Sequence, residues 1–230
     1  RECTGVAPPV ETFHRCLVKY AGFPWDSPST VRPPGQDPDE WWDSLLPLLR
    51  KTVRDATGVP WPEACRLAAY TREVYLDLSR WHTFPETSSV LDALSDRGWR
   101  HVVLSNHVPE LPSLVEHLGL AERFDRVWTS AETGVEKPNA ASYGLVRDYV
   151  GHAAELFMVG DNFKADVEGP LASGISAILV RNDHPDAKYF YPDLRGLLDP
   201  ACPLMLNPRA KMNHATDRQA VTTADDDTEH

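Results

Sequence analysis

Residues 158–166, Met-Val-Gly-Asp-Asn-Phe-Lys-Ala-Asp, are the stretch that decides the fold of this chain. An apolar segment, 156–159, ends abruptly at a glycine, and two carboxylates follow, Asp161 and Asp166. A buried parallel strand delivers such side chains to its carboxyl edge, where ligands bind in open α/β sheets. Two close carboxylates repel each other unless a cation lies between them, and Mg²⁺ prefers such oxygen ligands. The segment alone is equally compatible with an ordinary strand end at which Asp161 caps a helix.

Polar side chains also follow other predicted elements. Residues 101–106, His-Val-Val-Leu-Ser-Asn, predict a strand that ends in the hydroxyl of Ser105 and the amide of Asn106. Residues 134–139, Gly-Val-Glu-Lys-Pro-Asn, place Lys137 just before a predicted helix. This order of hydroxyl, lysine and paired carboxylates resembles the second, third and fourth motifs of the haloacid dehalogenase-like (HAD) hydrolases.

The resemblance covers residues 84–183 and rests on three ordered motifs with matching intervals. It implies a Mg²⁺-dependent phosphatase that acts on a small phosphorylated metabolite through a phosphoaspartate, which water then hydrolyses. The dehalogenase branch needs no metal and tends to carry Ser-Ser-Asn where this chain has Gly-Asp-Asn at 160–162. The carboxylate at that position favours phosphoryl chemistry.

The resemblance implies a role for each candidate side chain. Ser105 would donate its hydroxyl to a phosphate oxygen, helped by the amide of Asn106. Lys137 would neutralise phosphate charge and keep the nucleophile ionised. Asp161 would bind the Mg²⁺ ion, and Asp166 would complete the metal site by orienting Lys137 or a metal-bound water. An aspartate in a first helical turn is also common as a partner of the helix dipole, so the role of Asp166 stays open.

The nucleophile of the family is not found in this sequence. HAD phosphatases carry an Asp-x-Asp after an apolar first strand, and residues 1–21 contain no such strand. The upstream Asp37-Pro38-Asp39 follows Pro-Pro-Gly and precedes a tryptophan-led helix, which predicts helix capping. We therefore expect that the chain lacks the central strand of its sheet and is an inactive, N-terminally truncated copy of a longer protein. The alternative is a non-catalytic HAD-like pseudoenzyme or binding protein.

Other enzyme classes are disfavoured by motif and order. His107 lies near Ser105, but the chain has no Gly-x-Ser-x-Gly elbow of a serine hydrolase. A receiver domain places its phosphoacceptor aspartate before its lysine, whereas Lys137 precedes Asp161 here. No Gly-x-Gly-x-x-Gly of a nucleotide-dependent dehydrogenase is present.

The periodicity predicts an α/β fold with a Rossmann-like parallel sheet, preceded by helices. We expect a helical cap-like region at 1–82, an α/β core at 83–199 and a disordered tail at 200–230. The cap assignment rests on position alone. The four predicted strands are 101–104, 126–129, 156–159 and 176–180.

Composition narrows the partners. A formal net charge of −11 argues against sequence-independent binding of nucleic acid, which needs clustered lysine and arginine. No segment approaches the ~20 apolar residues that span a bilayer. The four cysteines are widely spaced, which disfavours a zinc site and favours reduced thiols in a cytoplasmic protein. Nothing in the sequence indicates the oligomeric state or the identity of the phosphorylated substrate.

Overall fold

Helices and parallel strands alternate along the second half of the chain in the computed structural model, which describes residues 8–20, 35, 37–152 and 154–206. This confirms the predicted α/β fold. The strands are β1 (Val102–Ser105), β2 (Arg126–Thr129), β3 (Phe157–Gly160), β4 (Ser176–Val180) and β5 (Phe190–Tyr191). The helices before, among and after them are α5 (Thr87–Ser95), α6 (Leu111–His117), α7 (Ser130–Thr133), α8 (Ala140–Val150), α9 (Gly169–Ala172) and α10 (Pro203–Leu206).

Helices also dominate the described part of the first 82 residues. The carboxylate of Asp37 accepts hydrogen bonds from the backbone N–H groups of Asp39 and Glu40, so the capping interpretation of this Asp-x-Asp is confirmed. The capped helix ends at Gly58, whose φ of 73° suits glycine. That this region acts as a cap stays a prediction. Its helices are α1 (Val10–Lys19), α2 (Pro38–Thr57), α3 (Trp61–Ala69) and α4 (Thr71–Tyr75).

The strands form two parallel sheets. β1 pairs with β2, from Val102 opposite Arg126 to Ser105 opposite Thr129. β3 pairs with β4, and β4 pairs with the two-residue strand β5, which the sequence analysis did not predict. Within the described residues, β1 and β3 each keep one edge that no strand pairs.

Contacts at the amino ends of β1 and β3 hold the two sheets together. The ring of Trp99, shortly before β1, meets the ring of Phe157, the first residue of β3, edge to face at 5.7 Å. The Trp99 indole N–H also donates to the carbonyl of Leu204 at 3.3 Å. Trp99 therefore joins β1, β3 and the last described helix in one apolar cluster. The buried members of this cluster are Val90, Leu94, Trp99, Ile178, Val180, Leu197, Cys202 and Leu204.

The chain stays ordered past residue 199. Cys202 is fully buried and Leu204 is 5% exposed, and both pack against β4 and α5 in the main cluster. The expected tail at 200–230 is therefore wrong for residues 200–206, because three apolar side chains in Cys-Pro-Leu-Met-Leu complete the core. Residues 207–230 lie outside the described residues.

Trp99→Ala should lower the free energy of unfolding by about 3 to 5 kcal/mol, because it empties a buried site and removes a hydrogen bond. Urea unfolding followed by circular dichroism measures this loss. The control is Trp61→Ala, since Trp61 is 43% exposed. Equal losses for the two variants would show that Trp99 does not hold the sheets together.

Candidate active site

Three of the five predicted site residues form one connected group at the carboxyl ends of the strands. The Asn106 side chain donates from Nδ2 to the carbonyl of Lys137 and accepts from the Lys137 backbone N–H at Oδ1, both at 2.8 Å. The Lys137 ammonium donates to Oδ1 of Asp166 at 2.7 Å. Asn106 thus fixes the backbone of the lysine, and Asp166 fixes its charged end.

Asp166 is buried, with 4% of its surface exposed, and both of its oxygens are engaged. Its Oδ2 accepts a hydrogen bond from the backbone N–H of Asn162 at 3.0 Å. The residue lies on a π-helical turn, Phe163–Glu168, a feature that is frequent at functional sites. A Cβ on residue 160 would overlap the carboxyl group of Asp166, so only glycine can stand there. With both oxygens used, Asp166 is placed to orient Lys137.

Lys137 is buried as well. Within the described residues, its ammonium group forms an ion pair with Asp166 and with no other carboxylate. Burying an ammonium group is tolerated only with such a partner. The loop that carries Lys137 begins at Gly134, whose φ of 74° ends helix α7, and stops at Asn139, whose side chain caps helix α8.

Helix α8 in turn supports the turn that carries Asp166. The hydroxyl of Tyr143 donates to the carbonyl of Ala165 at 2.7 Å. Burial, with the charge of Asp166 as a lesser cause, raises the pKa of Tyr143 above its usual value, so this hydroxyl keeps its proton. A Cβ at Gly169, the first residue of α9, would collide with Tyr143 on α8, which shows how closely these two helices approach.

Ser105 lies at the carboxyl end of β1 and Asp161 lies directly after β3, and both are outside this group. Ser105 is half-buried at the end of β1, and its hydroxyl has no hydrogen-bond partner among the described residues. Asp161 is exposed and accepts hydrogen bonds from the side chain of Asn182. Within the described ranges, no group of three His, Cys, Asp or Glu side chains is arranged to hold a metal ion.

The loop after β1 meets the N-terminal helices at His107, a contact that the sequence did not predict. His107 Nε2 lies 3.0 Å from the hydroxyl of Tyr75, and its ring packs against Trp81 at 5.8 Å. Burial lowers the pKa of His107, although the charge of Glu110 acts in the opposite sense.

Glu110 makes the second contact between these regions. Its carboxylate accepts hydrogen bonds from the indole N–H of Trp42 at 3.1 and 3.2 Å and from the guanidinium of Arg72 at 3.1 Å. Trp42 lies on α2 and Arg72 on α4, so one carboxylate ties both helices to the loop that follows the predicted phosphate-binding serine. No local sequence pattern marks these partners, because Arg72 precedes Glu110 by 38 residues and Trp42 precedes it by 68 residues.

The sequence profile of the haloacid dehalogenase-like hydrolases matches residues 8–174. The chain belongs to this family. The resemblance inferred from the three motifs is thus confirmed. Of the helices that the structure describes, none combines the length and apolar character needed to cross a bilayer.

Some of the curated relatives of this HAD-like hydrolase are named phosphatases. A glyceraldehyde 3-phosphate phosphatase of Methanothermobacter thermautotrophicus is 36% identical over 50% of this chain and 51% of its own length. A phosphoserine phosphatase of Thermus thermophilus is 34% identical over 64% of this chain and 59% of its own length. This chain therefore spans about half to three-fifths of the length of these relatives.

Solved structures share the fold. A HAD-superfamily hydrolase of Geobacter sulfurreducens superposes with a TM-score of 0.55 over 81% of this chain and 85% of its own, at 19% identity. A 2-haloacid dehalogenase of Pseudomonas syringae gives 0.52 over 84% of this chain and 80% of its own, at 22% identity. At these identities the likeness concerns the fold alone.

Lys137→Met should lower the free energy of unfolding by about 3 kcal/mol, because it leaves the Asp166 carboxylate buried without its cation. Adding Asp166→Asn to this variant should recover part of the loss. Urea unfolding of the two single variants and the double variant measures the coupling. The exposed pair Arg100–Asp125 is the control, and Arg100→Gln should have a much smaller effect since solvent screens that pair. A single-variant loss no larger than this control would contradict the role of the pair.

The stability of the protein should fall as the pH drops below about 6.5, the ordinary pKa of histidine. Burial lowers the pKa of His107 in the folded state, so the unfolded chain takes up a proton that the folded chain does not. His101, whose pKa burial also lowers, adds to the same trend. His107→Gln should flatten the dependence between pH 7 and 5 in thermal unfolding, whereas His152→Gln at an exposed site should leave it unchanged. An unchanged slope in His107→Gln would contradict this.

Proposed function

We propose that these residues form the phosphoryl-binding part of a Mg²⁺-dependent phosphatase that acts on a small phosphorylated metabolite through a phosphoaspartate. The observation that carries the proposal is the buried Lys137–Asp166 pair, held at the strand edge by Asn106. An ammonium group that is fixed in place beforehand offsets phosphoryl charge without reorganising during the reaction. The phosphatases among the relatives support the same chemistry.

Each residue then has one task. Ser105 donates its hydroxyl to a phosphate oxygen at the end of β1. Lys137 offsets charge on the phosphoryl group and on the accepting carboxylate. Asp166 sets the direction of the lysine, and Asn106 keeps the lysine backbone beside Ser105. The side chain of Asn106 therefore acts through the lysine loop.

The donor set fits a magnesium ion. Mg²⁺ is commonly bound by one or two carboxylates, with water and substrate phosphate completing the octahedron. Asp161 is an exposed carboxylate at the strand edge and would hold the ion, whereas Asp166 is tied to Lys137. When bound, the ion supplies positive charge to the transferring phosphoryl group.

The accepting aspartate requires a strand that is not found among the residues that the structure describes. The sheets that contain β1 and β3 are joined near the amino ends of these strands by the contact of Trp99 with Phe157. Beyond the carboxyl ends they are joined by the ion pair of Lys137 with Asp166. Within the described residues, β1 and β3 nevertheless share no backbone ladder. All side chains of both strands are only half-buried, whereas four of the five in β4 are buried. Central strands of parallel sheets are covered on both faces, so this pattern supports a gap that one further strand would fill. We place the Asp-x-Asp on that strand, in a longer protein of which this chain is part.

The test is hydrolysis of p-nitrophenyl phosphate with Mg²⁺. The 230-residue chain should show no turnover, because no strand ending in a phosphoryl-accepting aspartate occurs in the described part of the chain. A protein that includes a preceding apolar strand ending in Asp-x-Asp should turn over, and its Lys137→Met and Asp161→Asn variants should each lose about a hundredfold or more in kcat. Hydrolysis by residues 1–230 alone would contradict the assignment of the acceptor.

The described residues contain no strand that ends in Asp-x-Asp, which also supports a second function, binding of a phosphorylated ligand without hydrolysis. A binding protein would hold phosphate through Ser105 and Lys137, and the longer protein would remain inactive. Turnover by the longer protein excludes this alternative.

A further inference from the structure

The loop that follows β4 reaches the candidate metal ligand through Asn182. The Asn182 side-chain amide donates to the backbone carbonyl of Asp161 at 3.0 Å and to its Oδ2 at 3.3 Å. This leaves Oδ1 of Asp161 without a hydrogen bond from the described residues. Asn182 thus holds one carboxylate oxygen and the backbone behind it, while the other oxygen is available.

The backbone that presents Asn182 has an uncommon conformation. Arg181 has a φ of 68°, the left-handed region that residues with a Cβ seldom adopt. The N–H of Asn182 donates to the carbonyl of Val180 at 2.8 Å, which closes a three-residue turn directly after β4. Turns of this kind with positive φ at the centre are rare and strained. Such strain persists only where surrounding contacts enforce it, and it concentrates at functional sites.

Contacts on both sides of Asn182 enforce this turn. The Arg181 backbone N–H donates to the carbonyl of Tyr191, and its guanidinium pairs with Glu86 at 2.6 Å and lies on the ring of Phe84. On the other side, the ring of His184 stacks on Phe163 with centroids 3.6 Å apart.

These anchors connect the loop to two parts of the site edge. Arg181 attaches it to the segment before helix α5. His184 attaches it to Phe163, two residues after Asp161. The backbone of Asn182 is therefore anchored on both sides within a short loop, which fixes the point from which its exposed side chain reaches Asp161.

We infer that Asn182 is a positioning residue for the metal ligand: it holds the carboxylate of Asp161 with Oδ1 directed to a divalent cation. The inference rests on the proposed function, which makes Asp161 the ligand. An exposed carboxylate loses rotational freedom when it binds a cation, and a partner that restrains it beforehand reduces that loss. Groups that orient metal ligands contribute about 10- to 100-fold to metal affinity.

The experiment measures Mn²⁺ binding to the full 230-residue chain by water-proton relaxation, which follows weak binding without any turnover. Four proteins are compared: the unaltered chain, Asp161→Asn, Asn182→Ala and Asp183→Ala. Asp183 is the matched control, because it is adjacent and exposed and makes no hydrogen bond or ion pair with the described residues. Circular dichroism verifies folding, and Asn182→Ser replaces the alanine variant if that one does not fold.

We expect Asp161→Asn to abolish specific binding, Asn182→Ala to raise the Kd about tenfold and Asp183→Ala to stay within twofold of the unaltered chain. If Asp161→Asn abolishes binding but Asn182→Ala stays within twofold, the positioning role is wrong and the proposed function stands. If Asp183→Ala weakens binding as much as Asn182→Ala, general loop charge explains the effect and the positioning role is wrong. If Asp161→Asn binds Mn²⁺ like the unaltered chain, the metal assignment of the proposed function fails first.

Discussion

The buried ion pair between Lys137 and Asp166 is the constraint on which the rest of the site depends. The lysine follows the sheet of β1 and β2, and the aspartate follows β3 in the sheet of β3 to β5. The pair thus links two sheets that share no backbone ladder within the described residues. Neither charge is stable in the interior without the other. The surrounding features serve to keep the pair intact: the amide of Asn106 on the lysine backbone, the N–H of Asn162 on the aspartate, and a glycine at 160 where any side chain would collide.

The two carboxylates after β3 have different surroundings, and this separates their chemistry. Asp166 is enclosed and saturated by donors, so it acts on its neighbours in the protein. Asp161 is exposed and keeps one oxygen without a partner among the described residues, so it faces whatever binds at the edge. A pair of acids that looks symmetrical in sequence thus divides into one internal and one external group, and the proposed site, with a fixed ammonium and a metal ion, requires this division.

The fold likeness and the chain's own residues carry different kinds of information. Dehalogenases and other family members superpose on this chain at about the same level, because the fold accommodates more than one chemistry. The proposal of phosphoryl transfer rests on Asp161, on the Lys137–Asp166 pair and on the phosphatases among the curated relatives. The N-terminal helices contact the loop that follows Ser105 through His107 and Glu110, and their role as a cap over the proposed site stays a prediction.

The sequence by itself determined the strands that carry the site and the order of the polar residues at their ends, because apolar periodicity and capping residues act over a few neighbours. The helix N-cap at Asp37 and the strands β2 and β4 were predictable for this reason. Only the tertiary structure decided that Lys137 pairs with Asp166 across 29 residues, that Asn182 holds Asp161, and that residues 200–206 complete the core. These contacts depend on where the chain returns in space, and no local pattern encodes that return.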